Sequence, residues 1–268
     1  MGYRRGITSQ LTATVGRERQ IYMDKHLKCR SYSSFSELPD AYRQAFDRSD
    51  GVPFDQSLEW LEAYVEHVGP RSELLLVGIE EAQDGRPRAL LPLDVSLDGS
   101  SLFRKRTISA LANYYTTHYD IVFLGGFDSE IVDELAGFLK DLTPHWAQLD
   151  LNPMSEEGGG FGGLFASFSK EGYRSERYFR FANWKVSVAG QDYDAYMSRR
   201  PTKLVQTIKR RTRKLERSGQ TEVLVITDPE LVGAAMDDYE KIYDTSWKEP
   251  EPYPQFIRSV AQRFSQRG

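Results

Sequence analysis

A single cysteine, Cys29, stands in 268 residues, which excludes an intramolecular disulfide framework. Histidines are almost as sparse, four and scattered, so the Cys/His spacing that builds a structural zinc site does not occur and no metal is expected. No apolar run approaches the roughly 18 residues of a membrane-spanning helix, and the opening MGYRRGITSQLTATVGRERQ lacks the apolar core of a signal peptide. These absences point to a reducing, cytoplasmic compartment. Nor is charge of one sign in large excess. Lys and Arg number 35 against 39 Asp and Glu, a net −4, which argues against the broad basic footprint of a DNA-binding protein.

What is present reads as a globular chain behind a polar tail over residues 1–28. At 40% hydrophobic residues a sizeable core can form, and at about 150 residues per domain the length suggests two domains. CRSYSSF alternates like a short strand, and FSELPDAYRQAF reads as a short helix. FDQSLEWLEAYVEHVG is a firmer helix, with Leu58, Leu61, Tyr64, Val65 and Val68 at helical spacing and Gly69 placed to stop it. ELLLVGIEE and PRALLPLDVSL are strands joined through Asp84-Gly85, a hairpin signal. RTISALANYYTTHYDIVFLGG is strand-like, SEIVDELAGFLKDL is a helix starting behind Asp128 or Ser129, WAQLDLNPM is a short strand, GLFASFSKEGY is a helix, and RYFRFANWKVSV is one or two strands. The order predicts an α+β layout with helices on a largely antiparallel sheet.

A second cycle follows, with DYDAYMSRR and a basic segment as helices, TEVLVIT as a strand, and two helices over DPELVGAAMDDYEKIYDTSW and YPQFIRSVAQRFSQRG. The strand, helix, helix order repeats and then stops at Gly268. The expectation is a second domain, residues 191–268, cut short after a complete first domain, residues 29–190. The apolar faces near 230–246 and 254–265 are then expected to be exposed.

The run DAYMSRRPTKLVQTIKRRTRKLERSG, TEVLVITD, IYDTSWK and FIRSVAQRFSQRG, with PFDQSLEWLEAYVEHVG, LLLVGIEEAQDGRPRALLPL and LDLNPM before it, resembles the GNAT-like acetyltransferase domain of the CelD type. That family is associated with cellulose or exopolysaccharide synthesis and related to the FemAB peptidyltransferases. The resemblance implies tandem GNAT-like (acyl-CoA N-acyltransferase) domains, the second incomplete and truncated at the C-terminus. It also implies an activity, transfer of an acyl group from acetyl-CoA or another acyl-CoA to the amine or hydroxyl of a small-molecule or glycan-precursor acceptor. The donor pyrophosphate would rest on a Q/R-x-x-G-x-G/A loop at a helix start, which here would fall beyond residue 268, leaving this chain inactive. Two alternatives stay open: a non-catalytic module binding an anionic glycan precursor or protein partner, and a FemAB-like transferase using aminoacyl-tRNA.

The basic segment PTKLVQTIKRRTRKLERSGQ is the densest charge in the chain. Its plainest reading is a solvated helix face over the stripe Leu204, Val205, Ile208 and Leu215. The functional reading assigns Lys203, Arg210, Arg211 and Lys214 to an anionic acceptor or donor phosphate in an interdomain cleft. In LANYYTTHYD, Tyr115 and His118 either belong to a buried aromatic strand or face that cleft to orient an acceptor or relay a proton. Trp247 is a core or cleft aromatic, and Trp184 a core one. Glu80, Glu81 and Asp150 are possible bases equally explained as charges at strand ends. Cys29 is expected to be buried and unactivated. SEEGGGFGGLFASF lacks the Lys-Ser/Thr of a P-loop and reads as a flexible connection into a helix.

Overall fold

The structure, a computed structural model, describes residues 26–49, 51–98, 105–170, 172–182 and 186–267. Residues 1–25 of the tail and Trp184 lie outside the described residues. The elements run β1 (Leu27–Tyr32), α1 (Asp40–Arg48), α2 (Leu58–His67), β2 (Glu73–Glu81), β3 (Pro87–Asp98), β4 (Lys105–Ala110), β5 (Val122–Phe123), α3 (Ser129–Asp141), β6 (Gln148–Asp150), α4 (Gly160–Lys170), α5 (Tyr193–Ser198), α6 (Thr202–Ser218), α7 (Pro229–Asp244) and α8 (Pro254–Arg267).

The sheet is ordered β1-β2-β3-β4-β6 and is antiparallel except where β6 runs parallel to β4; β5 adds a short antiparallel rung to β3. Both faces are covered, which explains the unbroken apolar run LLLVGI in β2. Leu75, Val77 and Ile79 point into a core shared with Ile131 and Leu135 of α3 and Leu164 of α4. Leu74 and Leu76 point the other way, into a core shared with Tyr42 of α1, Trp60 and Leu61 of α2, and Phe256 of α8. The period of two that sets a strand's sides thus divides one sequence between two cores. Pro92, which cannot donate to a ladder, lies where the outer edge of β3 changes partner from β5, which meets Leu90, to β4, which begins at Leu93.

Local chemistry sets the ends of the main helices. Ser57 caps α2, its side chain accepting from the Trp60 N–H, and α2 stops at Gly69 with φ +76°. Asp128 caps α3 by accepting from the Glu130 N–H, as its sequence predicts.

The last third departs from expectation. Residues 221–227 and the described parts of 176–188 form no strand, and Val223 and Val225 are 88% and 85% exposed. Both alternate like strands, but alternation only prepares a segment for a neighbouring strand and cannot supply one. The apolar faces of the last two helices also differ from expectation. On α8, Phe256 and Val260 are buried on α2, where Phe256 meets the rings of Trp60 at 4.9 Å and Tyr64 at 6.0 Å. Charge reinforces the contact, with Arg263 bonding Glu62 at 2.9 Å and Glu66 at 2.7 Å. On α7, Val232 and Met236 are buried while Leu231 and Ile242 stay exposed.

Candidate functional site

The segment between β4 and α3 carries the most chemistry. Its first half is tied down by Asp55, in a 3-10 turn over Phe54–Gln56. One oxygen of Asp55 accepts from the Thr117 N–H and hydroxyl, both at 2.8 Å, and from the His118 N–H at 2.6 Å. The Tyr119 hydroxyl then reaches through the gap in the sheet edge to donate to the Pro92 carbonyl at 2.7 Å. Burial pushes the Tyr119 hydroxyl well above its usual range, and the neighbouring Asp120 charge pushes it further. The Tyr119 carbonyl in turn accepts from the Ser155 N–H at 2.8 Å, which staples the glycine-rich loop alongside.

Asp120 follows, 6% exposed. Its Oδ1 accepts from the Ile121 N–H at 2.8 Å. Burial raises its carboxyl to about 6, with the Ile121 bond pulling weakly the other way. The glycine loop closes over it. A Cβ on Gly158 would lie 1.8 Å from Asp120 Oδ2, and one on Gly160 would lie 2.2 Å from Oδ1. The loop therefore leads into a helix as expected, and its glycines are required by close approach to a carboxylate. An open cavity of about 550 Å³ lies here, its polar lining including Arg48, Gln56, His118, Asp120, Ser155 and Glu157.

The residues singled out from sequence are not brought together. His118 lines this cavity, whereas Tyr115 turns toward α8, 5.2 Å from the Phe256 ring, and its buried hydroxyl has no hydrogen-bond partner among the described residues. Lys203, Arg210, Arg211 and Lys214 lie exposed on α6, which buries none of its residues. Trp247, read as a core or cleft aromatic, is 93% exposed. It follows α7 in a Pro- and Glu-rich turn that offers no apolar wall.

Glu80 and Glu81 are charges held by neighbours, and Asp150 is a charge on an exposed strand. Glu80 is buried and bonds the Tyr32 hydroxyl at 2.6 Å, with Lys28 and Arg30 at 3.6 and 3.4 Å. Glu81 pairs with Arg86 and Arg88, and Asp150 is exposed on the edge strand β6. Cys29, expected to be buried, is half-buried against the α3 side of the sheet. Asp120 went unremarked in sequence because the loop that buries it lies some 35 residues further along; the one hint was a carboxylate opening the apolar run IVFL.

Two helix starts follow strands on this side of the sheet, and each has a carboxylate against it. Asp128 caps α3, with Glu130 in the first turn and Arg88 already bonded to Asp128 at 3.1 Å. At the start of α4 the Asp120 carboxylate lies against Gly158 and Gly160. Neither suits a phosphate, which these negative charges would repel. Among the described residues no group of three or more His, Cys, Asp or Glu is arranged to hold a metal, and no helix is long and apolar enough to cross a membrane.

Comparison with known proteins places one likeness on the end of the chain: residues 202–268 match the family described as Acetyltransferase (GNAT) domain. No curated protein matches. Among solved structures, one described as the crystal structure of a probable acetyltransferase is 15% identical, with a TM-score of 0.37 over 60% of this chain and 98% of that one.

Proposed function

We propose that the protein is an acyltransferase. The observation that carries the reading is the GNAT-domain match over residues 202–268. The reaction is transfer of an acyl group, acetyl in the first instance, from a thioester sulfur to an amine nitrogen or hydroxyl oxygen; the acceptor loses one proton and the departing thiol gains one. A glycan-precursor acceptor in polysaccharide or envelope synthesis is the context we favour from the CelD-type resemblance. Acetyl-CoA is the expected donor. The strand-following helix starts of the first unit do not fit its pyrophosphate, since Asp128 caps one and the Asp120 carboxylate lies against the other. We therefore route no step through a donor there and read that unit as the acceptor's side.

On α6 none of Lys203, Lys209, Arg210, Arg211, Arg213, Lys214 and Arg217 forms an ion pair among the described residues, so these cations are free to meet an anion. That supports assigning Lys203, Arg210, Arg211 and Lys214 to the phosphates of a donor or acceptor.

Titration calorimetry with acetyl-CoA tests the reading, together with release of free CoA thiol when amine acceptors are supplied. Saturable binding that weakens in Arg210→Glu and Lys214→Glu is expected. Absence of both binding and thiol release would move the assignment to a non-catalytic module, and strongly salt-dependent tRNA binding would move it to aminoacyl transfer.

A further inference from the structure

Four carboxylates are buried among the described residues, namely Asp55, Glu80, Asp94 and Asp120. Three are satisfied. Asp55 accepts three hydrogen bonds from Thr117 and His118. Glu80 is held by two tyrosine hydroxyls, Lys28 and Arg30. Asp94 accepts from the Arg71 N–H and guanidinium at 2.9 and 3.0 Å.

Asp120 differs from all of them. It has no cation partner among the described residues, and its one hydrogen bond comes from the adjacent backbone. A buried carboxylate so poorly satisfied is costly, and a packed structure ordinarily supplies a partner. Here Gly158 and Gly160 lie against it and it lines an open cavity. From this geometry we propose that the cavity binds a small primary amine, with Asp120 as the counter-ion of its ammonium group. Arg48 lines the same cavity, so the rest of the ligand is neutral or anionic rather than a second cation. His118 and Ser155 offer polar groups for a hydroxyl-bearing body such as an amino sugar. Calling this amine the acyl acceptor rests on the acyltransferase reading; the existence of the site does not.

The charged and titratable groups that line the cavity with Asp120 are Arg48 from α1, His118 from its own segment and Glu157 from the glycine loop, and Tyr119 adjoins it in the chain. Burial raises the Asp120 carboxyl, and an ammonium ion beside it would lower it again.

The experiment uses the whole chain without acyl donor. Amide NMR shifts are followed as methylamine, ethanolamine and glucosamine are added, each against its neutral counterpart methanol, ethylene glycol or glucose. The amines should shift residues 118–126 and 155–160 saturably while the neutral molecules do not, and Asp120→Asn should weaken binding at least tenfold with Glu130→Gln unchanged. A second measurement needs no variant: carboxyl NMR of Asp120 should show its titration moving to lower pH when methylamine is present. Amines that bind no better than their neutral counterparts, or an unmoved Asp120 titration, would overturn the proposal. Because no donor is present, a failure here reads separately from a failure of acyl transfer.

Discussion

Gly158 packs so tightly on Asp120 that a methyl group in place of its hydrogen would lie 1.8 Å from Oδ2, well inside any permitted contact. Relief requires moving either the loop or a buried charged group. Gly158→Ala should therefore lower stability by about 1–3 kcal/mol, the usual cost of overpacking. Gly162, four residues further on in α4 with nothing near its absent Cβ, is the control. Gly162→Ala should be neutral or stabilising by about 0.5–1 kcal/mol, as for Gly in a helix interior. Thermal unfolding of the pair separates crowding from glycine content.

Asp120→Asn should stabilise the folded chain at alkaline pH. The folded state holds this proton up to about pH 6, whereas an unperturbed Asp carboxyl releases it at 3.8. The contribution of wild-type Asp120 is therefore most favourable below pH 4 and is lost as pH rises to about 6. The interval corresponds to about 3 kcal/mol when the acid is fully ionised. The melting-temperature difference between variant and wild type should be largest near pH 8 and shrink toward pH 4. Subtracting the two profiles removes the shared contributions of Arg48, His118, Tyr119 and Glu157. A flat difference would show that the charge is not penalised.

Phe256 is wholly buried between α2 and α8, so Phe256→Ala should cost about 3–5 kcal/mol and loosen α8. Hydrogen exchange over residues 254–267 should then rise sharply. Ile242→Ser, on the exposed side of α7, should change stability by no more than about 0.5 kcal/mol.

Gly78 faces Tyr42 across the α1 side of the sheet, and an added Cβ would meet the tyrosine oxygen at 2.0 Å and its ring carbon at 2.9 Å. Gly78→Ala should be strongly destabilising. Combining it with Tyr42→Phe should recover part of the loss, since the oxygen leaves and the ring carbon remains. A double-mutant cycle reads the coupling directly.

The parts of the fold legible in sequence are those whose signals are local. Ser57 and Gly69 bound α2, Asp128 starts α3, and Asp84-Gly85 turns the β2–β3 hairpin, each acting within a few residues. Residues 221–227 carry an equally clear pattern, but a strand exists only with a partner, and the pattern names none. The site fails to show for a related reason. His118 was visible as a titratable residue, yet the cavity it lines is assembled from α1, the turn at Asp55, the segment before α3 and the glycine loop. Asp120 acquires its chemistry from burial that only this assembly provides.

The helix α8 lies within residues 202–268, the stretch that matches the GNAT domain, yet its aromatic face fills the core beneath α2. Arg267 extends that attachment to Glu59 at 2.8 Å. Kinship and cohesion thus draw their borders in different places along this polypeptide. Exchanging the matched stretch for that of a cousin would transplant a piece of its neighbour's interior as well. Only a donor bringing its own counterpart of Phe256, and arginines spaced to meet Glu59 and Glu62, would leave the recipient whole.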